Sequence, residues 1–140
     1  MAINYTEQMT ADEYNELRLS VDWKLLTQGQ AERGLAHTAF VVAARDGEKI
    51  VGMGRMLFDY GYTAYLGDVI VRPEYQGMGI GTEIVTRLKD RVMEAAEPGD
   101  KIMFILGAAK GKEAFYEKFG FKQRPNDFSG SGMSMWKTKE

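Results

Sequence analysis

The run Leu66–Ile84, LGDVIVRPEYQGMGIGTEI, changes character twice along its length. Asp68 to Val71 is strand-like, and Pro73, which has no amide hydrogen to give a ladder, ends it. Gly77, Gly79 and Gly81 then alternate through a turn. From there Ile80, Ile84, Leu88 and Val92 recur every fourth residue, the spacing of one face of a helix. The stretch therefore reads strand, turn, helix. Glycines let backbone approach a ligand closely, and the first amides of a helix have no internal partner, so a phosphate-like anion is the natural occupant of such a turn.

Upstream, the pattern is that of an antiparallel meander. Asp46-Gly47 lies between the runs TAFVVAAR and EKIVGMGRMLF, a strong hairpin signal, and a second turn at Phe58–Tyr62 leads into a third strand from Thr63 to Val71. Before the meander, Ile3–Tyr5 suits a short strand. Thr10-Ala-Asp-Glu13 has capping-box spacing, so a helix bearing Tyr14, Leu17 and Val21 is expected, then a shorter one after Thr27 closed by Gly34. Downstream, the helix from about Gly79 to Ala96 stops before Pro98-Gly99. The apolar run Lys101–Leu106 reads as a buried strand parallel to the one before the helix. A short helix over Gly111–Lys118 follows, then strand-like pieces at Phe121–Gln123 and Met133–Lys137 around a polar loop from Pro125 to Gly132.

Composition narrows the chemistry. The 140 residues suit one domain, which at this size buries about 68–70% of its unfolded surface. The net charge of -2 gives no electrostatic footprint for nucleic acid or an acidic membrane. No basic cluster followed by an apolar run opens the chain, so a cytoplasmic protein is expected. The chain has no cysteine, which removes thiolate catalysis and any cysteinyl acyl-enzyme. Its single histidine, His37, allows no multi-histidine metal site, so no metal is expected. His37 begins an apolar run with no Gly-x-Ser-x-Gly elbow in the chain, and a strand-edge position is the simpler reading of it.

Two other glycine motifs fail on spacing. A dinucleotide fingerprint starting at Gly77 and Gly79 needs a third glycine where Thr82 stands. Gly107–Lys112 is one residue short of a phosphate-binding loop and is followed by Glu113 instead of Ser or Thr. What the cluster does resemble is motif A of the GNAT-type N-acetyltransferases, here Gln76-Gly77-Met78-Gly79-Ile80-Gly81 after Val71-Arg72-Pro73. Ala114–Phe121, AFYEKFGF, is similar to the C-terminal signature of that family. The resemblance spans nearly the whole chain. It departs at Ala108-Ala109-Lys110, where many members carry an Asn that touches the pantetheine arm.

The resemblance implies an α+β GNAT-type acyltransferase fold: a mixed, mostly antiparallel sheet flanked by helices, with one central parallel β-α-β unit. It implies acetyl-CoA as co-substrate. The amides of Gln76, Gly77, Met78, Gly79, Ile80, Gly81 and Thr82 would hold the pyrophosphate, and those of Val69, Ile70 and Val71 would face the pantetheine arm and thioester carbonyl. Tyr116 matches the position that reprotonates the departing thiolate. A phenol of ordinary pKa about 10 stays protonated at neutral pH and needs only to be placed. The acceptor would be a small-molecule or peptide amine, and a homodimer is common in the family. An ammonium must lose its proton before attack, and Asp68 on the motif-bearing strand is the named candidate base, with Tyr65 and Asp59 nearby. Leu17–Leu35 and Asn126–Met135 are expected to line the acceptor pocket, while Trp23, Trp136 and Arg55 read equally well as packing or surface residues. The alternative function is a non-catalytic acyl-CoA sensor.

Overall fold

In the computed structural model, which describes residues 2–140, the order is β1 (Ile3–Thr6), α1 (Ala11–Ser20), α2 (Gln28–Ala36), β2 (Phe40–Asp46), β3 (Lys49–Phe58), β4 (Thr63–Val71), α3 (Ile80–Ala95), β5 (Met103–Ile105) and α4 (Glu113–Glu117). The strands form one sheet in the order β1-β2-β3-β4-β5. Pairing is antiparallel as far as β4, and β5 then runs parallel to β4, the α3 crossover making the β-α-β unit. This is the expected α+β arrangement of a mixed sheet flanked by helices. By compactness the chain divides into one unit ending at Phe104 and a second, Ile105–Glu140.

In the first unit the sheet is covered on both faces. α1 and α2 bury Ala11, Tyr14, Leu17 and Ala31 in one cluster with Ala43, Ile50, Met53 and Ile70 of the sheet. Ile50 and Met53 are an odd number of residues apart, yet join the same cluster. The reason is a bulge in β3: Ala44 pairs with Gly52 and Arg45 with Ile50, leaving Val51 as the extra residue that reverses the alternation. α3 buries Ile80, Ile84, Val85, Leu88 and Val92. It lies so close to the sheet that a Cβ at Gly54 would stand 2.6 Å from Ile84 Cγ2 and 3.0 Å from Leu88 Cδ1. The capping box at the start of α1 forms as its spacing predicts, with Glu13 N–H donating to Thr10 Oγ1 and Thr10 N–H to Glu13 Oε1.

Several local expectations are corrected. α2 passes through Gly34 to Ala36, and His37 is its C-cap residue, its Nδ1 lying 2.9 Å from the Arg33 carbonyl, so it is not at a strand edge. The first hairpin closes one residue later than expected, with Asp46 paired to Lys49 around Gly47-Glu48. β5 is shorter than Lys101–Leu106 and its Met103 is 41% exposed. In the second unit, α4 and the residues after it carry an aromatic cluster, and beyond Gly120 the described residues form no helix or strand. The strands expected at Phe121–Gln123 and Met133–Lys137 are therefore absent. Gly130, Gly132 and Ser134 break the apolar pattern there, and Met133 and Trp136 stay almost fully exposed; so short a strand has too little to bury to form alone.

Candidate active site

β4 carries a bulge at the point of chemical interest. Met53 pairs with Ile70 and Arg55 with Gly67, so the single residue Gly54 faces both Asp68 and Val69. An extra residue there breaks the ladder and turns the local backbone, which is how strands re-aim groups beside reaction sites. Asp68 takes up the distortion with φ 51°, a left-handed value that a Cβ makes costly. Its side chain is held from three sides. Arg55 Nε donates to Asp68 Oδ2 at 2.7 Å, the Tyr14 hydroxyl donates to the same oxygen, and Arg18 Nη1 stands 3.5 Å from Oδ1. Burial, then the hydrogen bond to Asp68, pushes the Tyr14 phenol up to about 12, so it stays a donor. Burial opposes the charge on Arg55, but the hydrogen bond to Asp68 together with the field and hydrogen bonding of Tyr14 and the field of Asp68 outweigh it and raise its pKa, keeping the guanidinium protonated. Met103 N–H donates to the carbonyl of Tyr62, the residue before β4, at 2.7 Å, at the end of β4 away from the bulge.

From the bulge, Val71 leads through a 3-10 turn at Pro73–Tyr75 into the glycine turn. Gln76 Nε2 donates back to the Val71 carbonyl at 2.9 Å, tying the turn to the strand end. Gly77 and Gly79 both have φ 82°, and a Cβ on either would meet no atom within 4 Å. These glycines thus serve backbone conformation and leave open space beside the turn. Gly79 is the N-cap of α3 and supplies no side-chain cap. The first amides of this 16-residue helix are left without the usual side-chain acceptor, in a stretch exposed from Gln76 to Gly79. One acid, Glu83, lies in the first turn, and its carboxylate is paired with Arg87 at 3.0 Å.

The predicted residues fall into three places. Asp68, Val69, Ile70 and Val71 lie on β4 at and after the bulge, with the Ile70 side chain buried in the cluster beneath α1. Gln76 to Thr82 form the turn and the opening of α3. Tyr116 belongs to the second unit, on α4, its ring 5.0 Å from Phe115 and 6.2 Å from Phe121. Burial raises its phenol above the ordinary value, which keeps the proton on at neutral pH. Sequence reasoning missed the set around Asp68: Tyr14 reads as part of an apolar stripe, Arg18 is not singled out, and Arg55 is left as packing or surface. The available signal was an opposite charge inside each of two neighbouring apolar strands, Arg55 and Asp68.

A profile of the acetyltransferase (GNAT) family matches residues 4–121, covering both the glycine turn and the Tyr116 segment. The chain belongs to the GNAT acetyltransferase family. Among relatives of this GNAT chain, an uncharacterized N-acetyltransferase, ycf52, of Porphyra purpurea is 24% identical over 132 residues, covering 91% of this chain and 74% of the relative. A chloroplastic GCN5-related N-acetyltransferase of Arabidopsis thaliana is 34% identical over 83 residues, 59% of this chain and 31% of that one. A solved structure from Staphylococcus aureus, of unknown function and described as a probable acetyltransferase, superposes with TM-score 0.85 at 26% identity, over 96% of this chain and 100% of the other. Glucosamine-6-phosphate N-acetyltransferase of Arabidopsis thaliana shares the fold at TM-score 0.71 and 17% identity, over the full length of both chains. Among the described residues no helix is long and apolar enough to cross a membrane, and no group of acids and histidine is placed to hold a metal.

Proposed function

We propose that this GNAT chain is a cytoplasmic N-acetyltransferase that moves an acetyl group from acetyl-CoA to a primary amine by direct attack in a ternary complex. The observation that carries the reading is the open, uncapped start of α3 placed directly after a bulged strand. Amides from Gln76 to Thr82 would hold the pyrophosphate in the favourable field of the helix N-terminus. Backbone N–H groups of Val69 to Val71 would face the pantetheine arm and the thioester carbonyl, where donors stabilise the charge that develops on oxygen during attack. Acetyl-CoA supplies the activated acetyl group.

Tyr116, by its place in the family pattern, returns a proton to the leaving thiolate. Asp68 fits a holding role better than that of a base. Oδ2 already accepts from Arg55 and Tyr14, and Oδ1 faces Arg18. We assign it to fixing the bulge, the ammonium proton leaving through water. The test is release of free thiol from acetyl-CoA across a panel of amines, with mass detection of the acetylated product. Turnover with at least one amine, reduced in Tyr116→Phe, supports the enzyme; tight coenzyme A binding with no turnover on any amine supports the sensor instead.

A further inference from the structure

We propose that Arg18 and Arg55 form an anion-binding subsite for the acceptor, so that the amine acetylated by this chain carries a carboxylate or phosphate group. The inference rests on the acetyltransferase reading above. Its starting point is a mismatch of charge. Two guanidiniums, with side chains only 14% and 22% exposed, share the single carboxylate of Asp68, itself 16% exposed. Every other ion-paired arginine among the described residues has at least one carboxylate of its own: Arg45 has Glu13, Arg72 has Glu16, Arg87 has Glu83, and Arg91 has Glu7 and Glu94. Tyr14 stays neutral, so the cluster keeps one excess positive charge.

A half-buried excess charge is costly unless something of opposite sign meets it. The donors to meet it are present. Arg18 Nε donates to the Lys24 carbonyl at 2.7 Å and Nη1 faces Asp68, while Nη2 makes no hydrogen bond to a described residue. Arg55 donates through Nε to Asp68 and through Nη1 to Thr38 Oγ1 at 2.9 Å, and also engages the Tyr14 hydroxyl, which leaves part of its five-donor fork for an incoming anion. A guanidinium has five N–H donors in a rigid fork suited to carboxylate and phosphate, so each retains donors for an incoming anion.

Both planes are also held in place. The Arg18 guanidinium carbon lies 5.5 Å from the Trp23 ring centre and 5.9 Å from that of Tyr14, and Arg55 lies 5.8 Å from Tyr14. Stacking of this kind fixes a fork before the ligand arrives, which lysine cannot reproduce. Location gives the subsite its use. The two arginines converge on Asp68, the residue before Val69, whose amide is assigned to the thioester carbonyl. An anion held there sets the reacting amine only a few bonds from its own negative group.

The experiment follows the arginine Nε–Hε resonances by NMR in protein saturated with coenzyme A, so that the phosphate cradle is filled. Inorganic phosphate and sodium acetate are titrated separately against chloride at matched ionic strength. Saturable shifts at Arg18 and Arg55, absent with chloride, are expected, and the arm that saturates first identifies phosphate or carboxylate as the preferred group. Arg18→Gln should weaken that binding about 10-fold or more and Arg18→Lys by less, as loss of a charge-assisted fork predicts. The bound anion should also raise the KM of accepted amines without changing that of acetyl-CoA. Drift equal to that in chloride, shifts confined to other arginines, or unchanged amine KM with the anion bound would each overturn the proposal. Failure of coenzyme A to bind, or no turnover of any amine, strikes the acetyltransferase reading instead, and the residue-specific shifts still report on the arginine pair in the free protein.

Discussion

Asp68 joins two separable contributions, a left-handed backbone and a carboxylate shared by two arginines and a phenol, and a substitution series at this position separates them. Asp68→Asn keeps a residue type that tolerates φ 51° but removes the charge. Arg18, Arg55 and Asp68 are all less than a quarter exposed, so screening by solvent is limited, and breaking such a set costs about 2–4 kcal/mol. Asp68→Gly and Asp68→Ala lose the same charge and differ in backbone. A Cβ in the left-handed region costs about 1–2 kcal/mol, and glycine's extra freedom when unfolded returns about 0.5–1 kcal/mol of that. Alanine should therefore be the less stable of the two by roughly 0.5–1 kcal/mol, although at most strand positions it would be the more stable. Urea unfolding at constant m-value measures all three variants. An Asn variant within about 0.5 kcal/mol of the parent would refute the cluster as the clamp on the bulge. An Ala variant more stable than Gly would refute the backbone argument. The pH profile of thiol release addresses the chemical role. If Asp68 only positions the bulge, the Asn variant is slower with a profile of unchanged shape, whereas loss of the acidic limb would mark Asp68 as the base.

Gly54→Ala places a methyl group against the β-branched Ile84, which cannot swing aside, so stability should fall by about 1–3 kcal/mol in the same unfolding assay. Gly79→Ala puts a Cβ at φ 82° and should cost about 1–2 kcal/mol while weakening coenzyme A binding by calorimetry; unchanged affinity would remove the turn from the ligand site. Glu13 has its pKa lowered by the hydrogen bond from Arg45, so its contribution to stability is present above the unfolded value and lost as pH falls through the folded one. The stability gap between the parent and Glu13→Gln should therefore narrow as pH drops from about 6 to about 3. Tyr116→Phe should lower kcat for thiol release by about 10²-fold or more with little change in the KM of acetyl-CoA, and the raised phenol places any alkaline limb from Tyr116 above its ordinary value of 10.0.

The part of the fold legible in the sequence is the part whose constraints are local. A capping box, a two-residue hairpin, a four-residue helical period and an alternation of glycines each act over a few neighbours, and each appears where its spacing put it except the hairpin turn, which falls one residue later, at Gly47-Glu48. The final strands failed because strand formation depends on a distant partner, and the run Met133–Lys137 looks the same with or without one. The β4 bulge was illegible for a related reason. It exists because Gly54 faces two residues, and nothing in β4 taken alone marks the extra one.

The same distinction divides the candidate site and bears on how specificity can change. On the function proposed above, the coenzyme side is built from backbone amides whose geometry is set by glycines within seven consecutive residues, so it can be read directly and tolerates few side chains. The proposed acceptor side would be assembled from α1, β3 and β4, through Tyr14, Arg18, Arg55 and Asp68, a cluster that only folding brings together. Arg18 approaches from the helix and contributes no backbone to the bulge or the glycine turn. A substitution there can alter which amine is accepted while the coenzyme cradle keeps its shape, whereas a change at Asp68 acts on the residue that forms the bulge itself. On that proposal, acceptor specificity is most readily altered from α1, at Arg18.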